Sequence, residues 1–356
     1  MNNTRKACGQ SHSERRAKPE VEILRKQNRI AESRQRSAQD DHAESFPTYF
    51  IESNKYRNGE ILMEKAKVYF TKEITPESLM KIYEALGRTL DGKVAVKIST
   101  GEPGGHNFLQ PALISGLVKS LNGTIVESCT AYSGKRLDPK DHWKAIEDHG
   151  FLAIAPCDIL DEFEDMEIPV AGGFHLKTNI IGKHFENYDS MLVLSHFKGH
   201  AMGGFGGALK NMSIGIASTA GKTHIHTAGK TSDHKIIWKN TAKQDDFLES
   251  MADACRGVVD YMGAENILYI NIANRLSVDC DCDSHPAEPE MGDLGIFASL
   301  DPVALDCACY DAVKNSPDAG KAALIERMDS RHGIHTVEAS EKLGLGTTNY
   351  EIITLD

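Results

Sequence analysis

No stretch of this 356-residue chain approaches the ~18 consecutive apolar residues that span a bilayer, and its N-terminus lacks the apolar core of a signal peptide. Both absences point to a cytoplasmic protein with no membrane partner. A basic excess is missing too: 40 Lys and Arg stand against 51 Asp and Glu, a formal net charge of −11. Such a chain offers no general surface to nucleic-acid phosphates, while a local basic site for a small anion stays open. Its eight cysteines, read in a reducing compartment, are thiols, metal ligands or core residues rather than disulfides.

What is present is ordinary for a globular chain, 40% hydrophobic and 26% charged. The length fits one large domain or two closely packed lobes. Residues 1–62 stand apart, since "RRAKPEVEILRKQNRIAESRQRSAQDDHAES" has too few apolar side chains to bury a face. That segment reads as a disordered leader, or as one that start-site choice has added, because codons for Asn58-Gly59-Glu60 can contain GGAGA shortly before Met63.

From Met63 to Asp356 we expect one catalytic or metal-binding α/β domain. Strand "KVYFT" precedes a helix with Thr75 as N-cap and Pro76 at its first position. Strands "KVAVKIS", "TIVES", "LAIAP", "SMLVLSHF" and "ILYINIA" then alternate with helical stretches. Alternation of this kind implies a largely parallel sheet flanked by helices, with ligands beyond the carboxyl ends of the strands.

One such end carries "SHFKGHAMGGFGGALKN", residues 195–211. His196 and His200, four apart, share a face and can grip one metal ion if the segment is helical; extended, they stand too far apart. Gly203, Gly204, Gly206 and Gly207 let backbone amides approach a ligand or cofactor, and Asn211 adds an amide. Lys198 and Lys210 supply cations. A tight turn with two surface histidines is the plain alternative. Nearby "GIASTAGKT" imitates a phosphate-binding loop but has five residues between its glycines and Ala220 where glycine is required, so a nucleotide-triphosphatase is rejected.

Cys280 and Cys282 form a C-x-C pair after a strand, a spacing that places two thiolates on one soft metal or an iron–sulfur cluster. Cys307 and Cys309 lie two apart on a helix and point to opposite sides, so at most one reaches the same site. Glu102, in the glycine-rich loop "STGEPGGHN", is a further candidate catalytic residue. Asp301 reads as a helix N-cap and Asp306 as a solvated or dipole-favoured residue of the second turn.

Together "VKISTGEPGGHNFLQP", "AYSGKR", "SHFKGHAMGGFGGALKN", "SVDCDCDSHPAEPEMGDLGIFASLDPVALD" and "RHGIHTVEASEKLGLG" resemble the domain-of-unknown-function 362 family, in order from about Lys67 to Asp356. Its members are commonly labelled iron–sulfur-centre proteins. Many relatives carry an inserted ferredoxin-like module with C-x2-C-x2-C runs; this chain has none and resembles a shorter branch. The resemblance therefore leaves an iron–sulfur role to Cys280, Cys282 and Cys309, the last preferred because similar sequences usually hold glutamine at the position of Cys307. Ser99 stands where relatives usually have histidine. A fainter likeness, in "GH…GGFGGALK", is to nickel-dependent lactate racemases.

The expected function is a metal- or iron–sulfur-dependent enzyme of redox or Lewis-acid type acting on a small anionic molecule, with a cluster or a single zinc or iron ion as cofactor. A metal or cluster carrier serving a redox partner protein, and a racemase-like metalloenzyme, are the alternatives; a homo-oligomer is compatible with each. We further expect His196, His200, Cys280 and Cys282 to converge, because both stretches follow strands that end at one sheet edge.

Overall fold

The computed structural model describes residues 65–355, together with the backbone of two short strands, β1 (Lys55–Arg57) and β2 (Glu60–Leu62), which pair antiparallel. Most of the leader expected over residues 1–62 lies outside the described residues.

The chain then builds β3 (Ala66–Thr71), helix α1 (Pro76–Ala85), β4 (Val94–Lys97), α2 (Pro111–Ser120), β5 (Thr124–Glu127), α3 (Pro139–Asp148) and β6 (Cys157–Ile159). Thr75 caps α1, its hydroxyl accepting from the Ser78 N–H at 3.1 Å, and Pro76 opens the helix where its missing N–H costs nothing. An antiparallel pair, β7 (Asp165–Pro169) and β8 (Thr178–Gly182), leads into the wholly buried β9 (Ser190–His196). There follow β10 (Lys198–His200), β11 (Gly204–Gly206), α4 (Ala208–Ser213), α5 (Thr219–His226), the long α6 (Gln244–Met262) and β12 (Ile267–Ala273). Strand β13 (Gly295–Ser299), helices α7 (Pro302–Asn315), α8 (Lys321–Ser330) and α9 (His335–Lys342), and β14 (Tyr350–Thr354) complete the chain.

Eight strands form one sheet in the order β14-β3-β13-β12-β9-β4-β5-β6. Every neighbouring pair is parallel except the two that β13 makes, so seven strands point one way and β13 runs against them. Side chains alternate between the faces. In β9, Met191 and Val193 enter one core with Leu209 and Met212 of α4 and Val258 of α6, while Leu192 and Leu194 enter the other with Ile82 of α1 and Leu117 of α2. Helices thus cover both faces, as a parallel sheet requires, and each fully buried Leu or Ile stabilises by ~1.5–3 kcal/mol.

The chain path positions the site. From β4 it moves outward through β5 to β6, then returns to lay β9 on the other side of β4 and continues outward through β12 to β13. Strand order reverses between β4 and β9. The crevice beyond their carboxyl ends is where such sheets hold ligands.

Candidate functional site

The glycine-rich segment leaves β9 not as a helical turn but as a hairpin, β10 against β11, before α4 begins. Gly204 supplies the left-handed backbone at its tip, φ +78°, where a Cβ would sit 2.8 Å from Gly333 Cα. Gly199 permits a second close approach. Its N–H donates to Ser277 O at 2.8 Å, and a Cβ there would lie 2.3 Å from the Val278 carbonyl oxygen. The loop after β12 is thereby seated on the hairpin, and this brings "CDC" beside His200.

His200, Cys280 and Cys282 offer a nitrogen and two sulfurs that all lie within 4.8 Å of one another. The Cys282 thiol, hydrogen-bonded to Cys280, holds the Cys280 thiol well below its ordinary pKa against the effect of burial, and Lys210, Lys198 and His200 act in the same direction. Cys282 is correspondingly pushed up by its bond to Cys280 and by burial. Burial pushes His200 down to about 4, so its imidazole is neutral at pH 7. Its Nδ1 accepts N–H groups from Met202 at 3.2 Å and Gly203 at 2.8 Å, which leaves the ring proton on Nε2.

Other expected groups have partners of their own, although His196 and Lys198 line the same cavity as the two thiols and Glu102 lines the adjoining hollow. His196 does not share an ion with His200, because in extended chain it turns to Asp281: Nδ1 lies 2.9 Å from that carboxylate and Nε2 2.6 Å from Asn274 O. Lys198 pairs with the same Asp281 at 2.8 Å. Glu102 is held by the Arg136 guanidinium at 3.0 Å and by the Lys135 N–H. Cys309 faces the hydrophobic core, where the Asn271 amide donates to its sulfur at 3.5 Å, and has no place in the His200–Cys280–Cys282 group. The half-buried Cys307 points toward Asp311 instead.

The glycines cradle less than their number implies. Gly206 and Gly207 line the cavity described below, but the amides of Ala208 and Leu209 are spent on Asp306, at 2.7 and 2.9 Å. Asp306 is therefore a buried cap for α4 and not a solvated residue, and Gly207 leaves it room: a Cβ would lie 2.4 Å from Oδ1. Gly203 serves through its N–H bond to His200. Asn211 staples the crevice, donating to Lys97 O, Leu194 O and Ser195 Oγ at 3.0, 3.3 and 3.1 Å.

At the crevice lies a cavity of about 70 Å³ into which five basic side chains reach: Lys97, Arg136, Lys198, Lys210 and Lys222. Glu127 is the one carboxylate in its lining, and Cys280 and Cys282 divide it from a more open hollow of about 280 Å³. Glu127 receives the Arg136 guanidinium at 3.3 and 3.4 Å, His142 Nε2 at 2.9 Å and the Thr100 hydroxyl. Despite burial, these partners and Lys97 hold its carboxyl well below the usual range. Lys210 has no hydrogen-bond acceptor among the described residues, yet its charge acts on Cys280, His200 and Lys97.

The family model described as a domain of unknown function, DUF362, matches residues 94–311, which include every residue lining this cavity. The chain belongs to that family. No curated protein matches this DUF362 member. Among solved structures, it is similar to the lactate racemase apoprotein from Thermoanaerobacterium thermosaccharolyticum, at 15% identity and TM-score 0.40 over 68% of this chain and 57% of that one. A Thermotoga maritima protein solved by structural genomics is similar at 14% identity and TM-score 0.32, over 75% of this chain and 58% of that one. The DUF362 chain thus spans less than two thirds of the length of either structure. Among its described residues no helix is long and apolar enough to cross a membrane.

Sequence reasoning missed Lys97, Glu127, Arg136 and Lys222 in this DUF362 member. One signal was there: Lys97 and Glu127 are the charged last residues of the otherwise apolar or β-branched strands "VAVK" and "TIVE", at the edge where ligands bind. Lys222 belongs to the rejected phosphate-loop imitation. Ser218 caps α5 there by accepting from the Gly221 N–H, and burial pushes the Lys222 amine down to about 8.

Proposed function

We propose that this protein is an enzyme that draws a small anionic molecule into the five-cation cavity and acts on it beside Cys280 and Cys282, which with His200 hold one soft divalent transition-metal ion. The observation that carries the reading is the lining of the cavity, where five basic side chains converge; Arg136 and Lys198 are answered by Glu102, Glu127 and Asp281, while Lys210 has no acceptor among the described residues. A carrier has no need of such a cavity. Two thiolates and an imidazole match the three-ligand pattern of catalytic zinc, whereas the usual iron–sulfur cluster is held by four cysteines and this group offers two. When bound, such an ion supplies Lewis-acid polarisation of a substrate oxygen.

One observation favours a second reading without metal. With Nδ1 already accepting two amides, His200 presents an N–H toward the thiols and not a lone pair. It then stabilises Cys280 as a thiolate nucleophile.

Elemental analysis of anaerobically purified protein separates these readings, with acid-labile sulfide and a visible spectrum alongside. One zinc-like ion per chain, lost in a Cys280→Ser/Cys282→Ser double variant, supports the first. Metal-free protein alkylated by iodoacetamide selectively at Cys280 supports the second, and acid-labile sulfide removes both in favour of a cluster. Calorimetry with small carboxylates and phosphate tests the anion site itself; no heat from any of them sinks the enzyme reading.

A further inference from the structure

We infer that Lys97 is an imine-forming lysine and that the molecule taken by the cavity is a small oxo acid, a carbonyl compound that also carries a carboxylate. The inference rests on the anion-binding reading above and names its substrate class.

Lys97 ends β4 at the point where strand order reverses, and its side chain lines the cavity although the residue is 2% exposed. Its position is tightly defined. The Asn211 amide donates to its carbonyl oxygen at 3.0 Å, and its stem crosses Gly215, where a Cβ would lie 2.6 Å from Lys97 Cε. A side chain at 215 would meet the Asn211 carbonyl oxygen at 2.1 Å as well as this stem.

The ammonium has no carboxylate of its own. It donates to Ile98 O, and Glu127 stands 3.9 Å away, already engaged by Arg136, His142 and Thr100. Around it stand further cations: Lys222, Arg136 and Lys210. Burial pushes the Lys97 amine down to about 7; Glu127 is the strongest opposing influence, and Lys222, Arg136 and Lys210 add smaller downward pushes. A plain anion cradle keeps its lysines charged. Here Lys97, at the strand-order reversal, is driven furthest toward the free amine and Lys222 less far, while Lys210 has no acceptor among the described residues, a division that suits a carbonyl group for Lys97 and a carboxylate for Lys210.

The chemistry balances without redox. The Lys97 lone pair attacks the carbonyl carbon and the C=O π pair moves to oxygen, which takes a proton. The nitrogen then gives one of its two protons to the same oxygen by way of Lys222, that oxygen leaves as water, and a protonated C=N bond remains. Lys222, the foremost cation acting on Lys97, has Asp161 to support its charge and is the proton source for the departing oxygen.

The test is borohydride trapping on the full-length protein with glyoxylate, pyruvate or 2-oxobutyrate, followed by intact-mass measurement and peptide mapping. We expect one reduced adduct per chain, confined to Lys97, suppressed by malonate and absent in Lys97→Met. Mapping on the unmodified sequence decides the assignment even if that variant fails to fold. Adducts on Lys222, or scattered over surface lysines, overturn it. No adduct while malonate still binds by calorimetry also overturns the imine and leaves the anion-binding reading standing. Loss of adduct and malonate binding together sinks both.

Discussion

Glu127 and Asp306 are buried about equally, at 4% and 1% exposure, on either side of the glycine-rich segment, yet they are held in opposite ways. Glu127 faces Arg136, His142 and Lys97, and those positive partners hold its carboxyl well below the usual range. Asp306 meets only neutral donors, the amides of Ala208 and Leu209 and the Asn271 side chain at 2.7 Å, and burial pushes it up to about 6. Charge-against-charge belongs to the cavity wall; charge-against-dipole belongs to the scaffold that carries the wall. Burial alone does not mark a functional carboxylate. The sign of what surrounds it does.

The strongest way to break this comparison is Glu127→Ala. Removing the carboxylate leaves Arg136 and Lys97 buried with fewer counter-charges, an arrangement that costs about 3–5 kcal/mol. The midpoint of denaturant unfolding should fall accordingly. A loss under about 1 kcal/mol, the scale of an exposed pair, would show that water already answers those cations.

Asp306→Ala should cost less, about 1–3 kcal/mol, because three neutral N–H groups lose an acceptor and no charge is stranded. The damage should centre on α4, which hydrogen exchange of the Ala208 and Leu209 amides reads directly. Unchanged protection there would remove Asp306 from the cap.

The two carboxylates also predict opposite pH slopes. Glu127, with a depressed folded pKa, contributes stability above the ordinary carboxylate range that disappears as pH falls through its folded value. Asp306 is raised from 3.8 to about 6, so the native state binds its proton more tightly and stability drains away as pH rises across that window. The slope is at most about 1.4 kcal/mol per pH unit. Asp301, raised to about 6 by burial, adds a slope of the same sign. Asp165 and Asp253 share that sign, while His200 and His226, pushed down to about 4, oppose it. The test is therefore a difference: the stability of Asp306→Asn relative to the parent should rise between pH 4 and pH 6. An unchanging difference would assign the slope elsewhere.

The fold was legible because alternation of apolar strands with amphipathic helices is a local property. The run "SMLVL" announced the central strand, and Pro76 and Pro302 each announced a helix start. Cys280, Cys282 and His200 were legible as soft donors because their type and spacing survive without the fold. Asp306 was misread because its partners lie almost a hundred residues earlier, at 208 and 209. His196 was left open between helical and extended geometry, and a hairpin decides that through cross-strand pairing. Lys97, Glu127, Arg136 and Lys222 were lost for a related reason: each is an unremarkable single residue until the sheet order collects four separate segments at one crevice.

Lys210 is the cation that neither arrangement answers, and it gives the smallest stability effect and the sharpest functional one. Its ammonium has no acceptor among the described residues, so Lys210→Ala removes no hydrogen bond and relieves some repulsion toward Lys97. Unfolding free energy should move by no more than about 0.5 kcal/mol in either direction. Loss of the charge beside Cys280 should at the same time abolish malonate binding measured by calorimetry. It should also slow alkylation of Cys280 at neutral pH, since the thiolate loses a supporting cation. The separation between the two readouts is what matters. A collapse in melting temperature would make Lys210 a structural lysine like Lys198, which Asp281 neutralises. Unchanged malonate binding with an intact fold would move the anion to Arg136 and Lys198, and an answering carboxylate would then have to be found for Lys210.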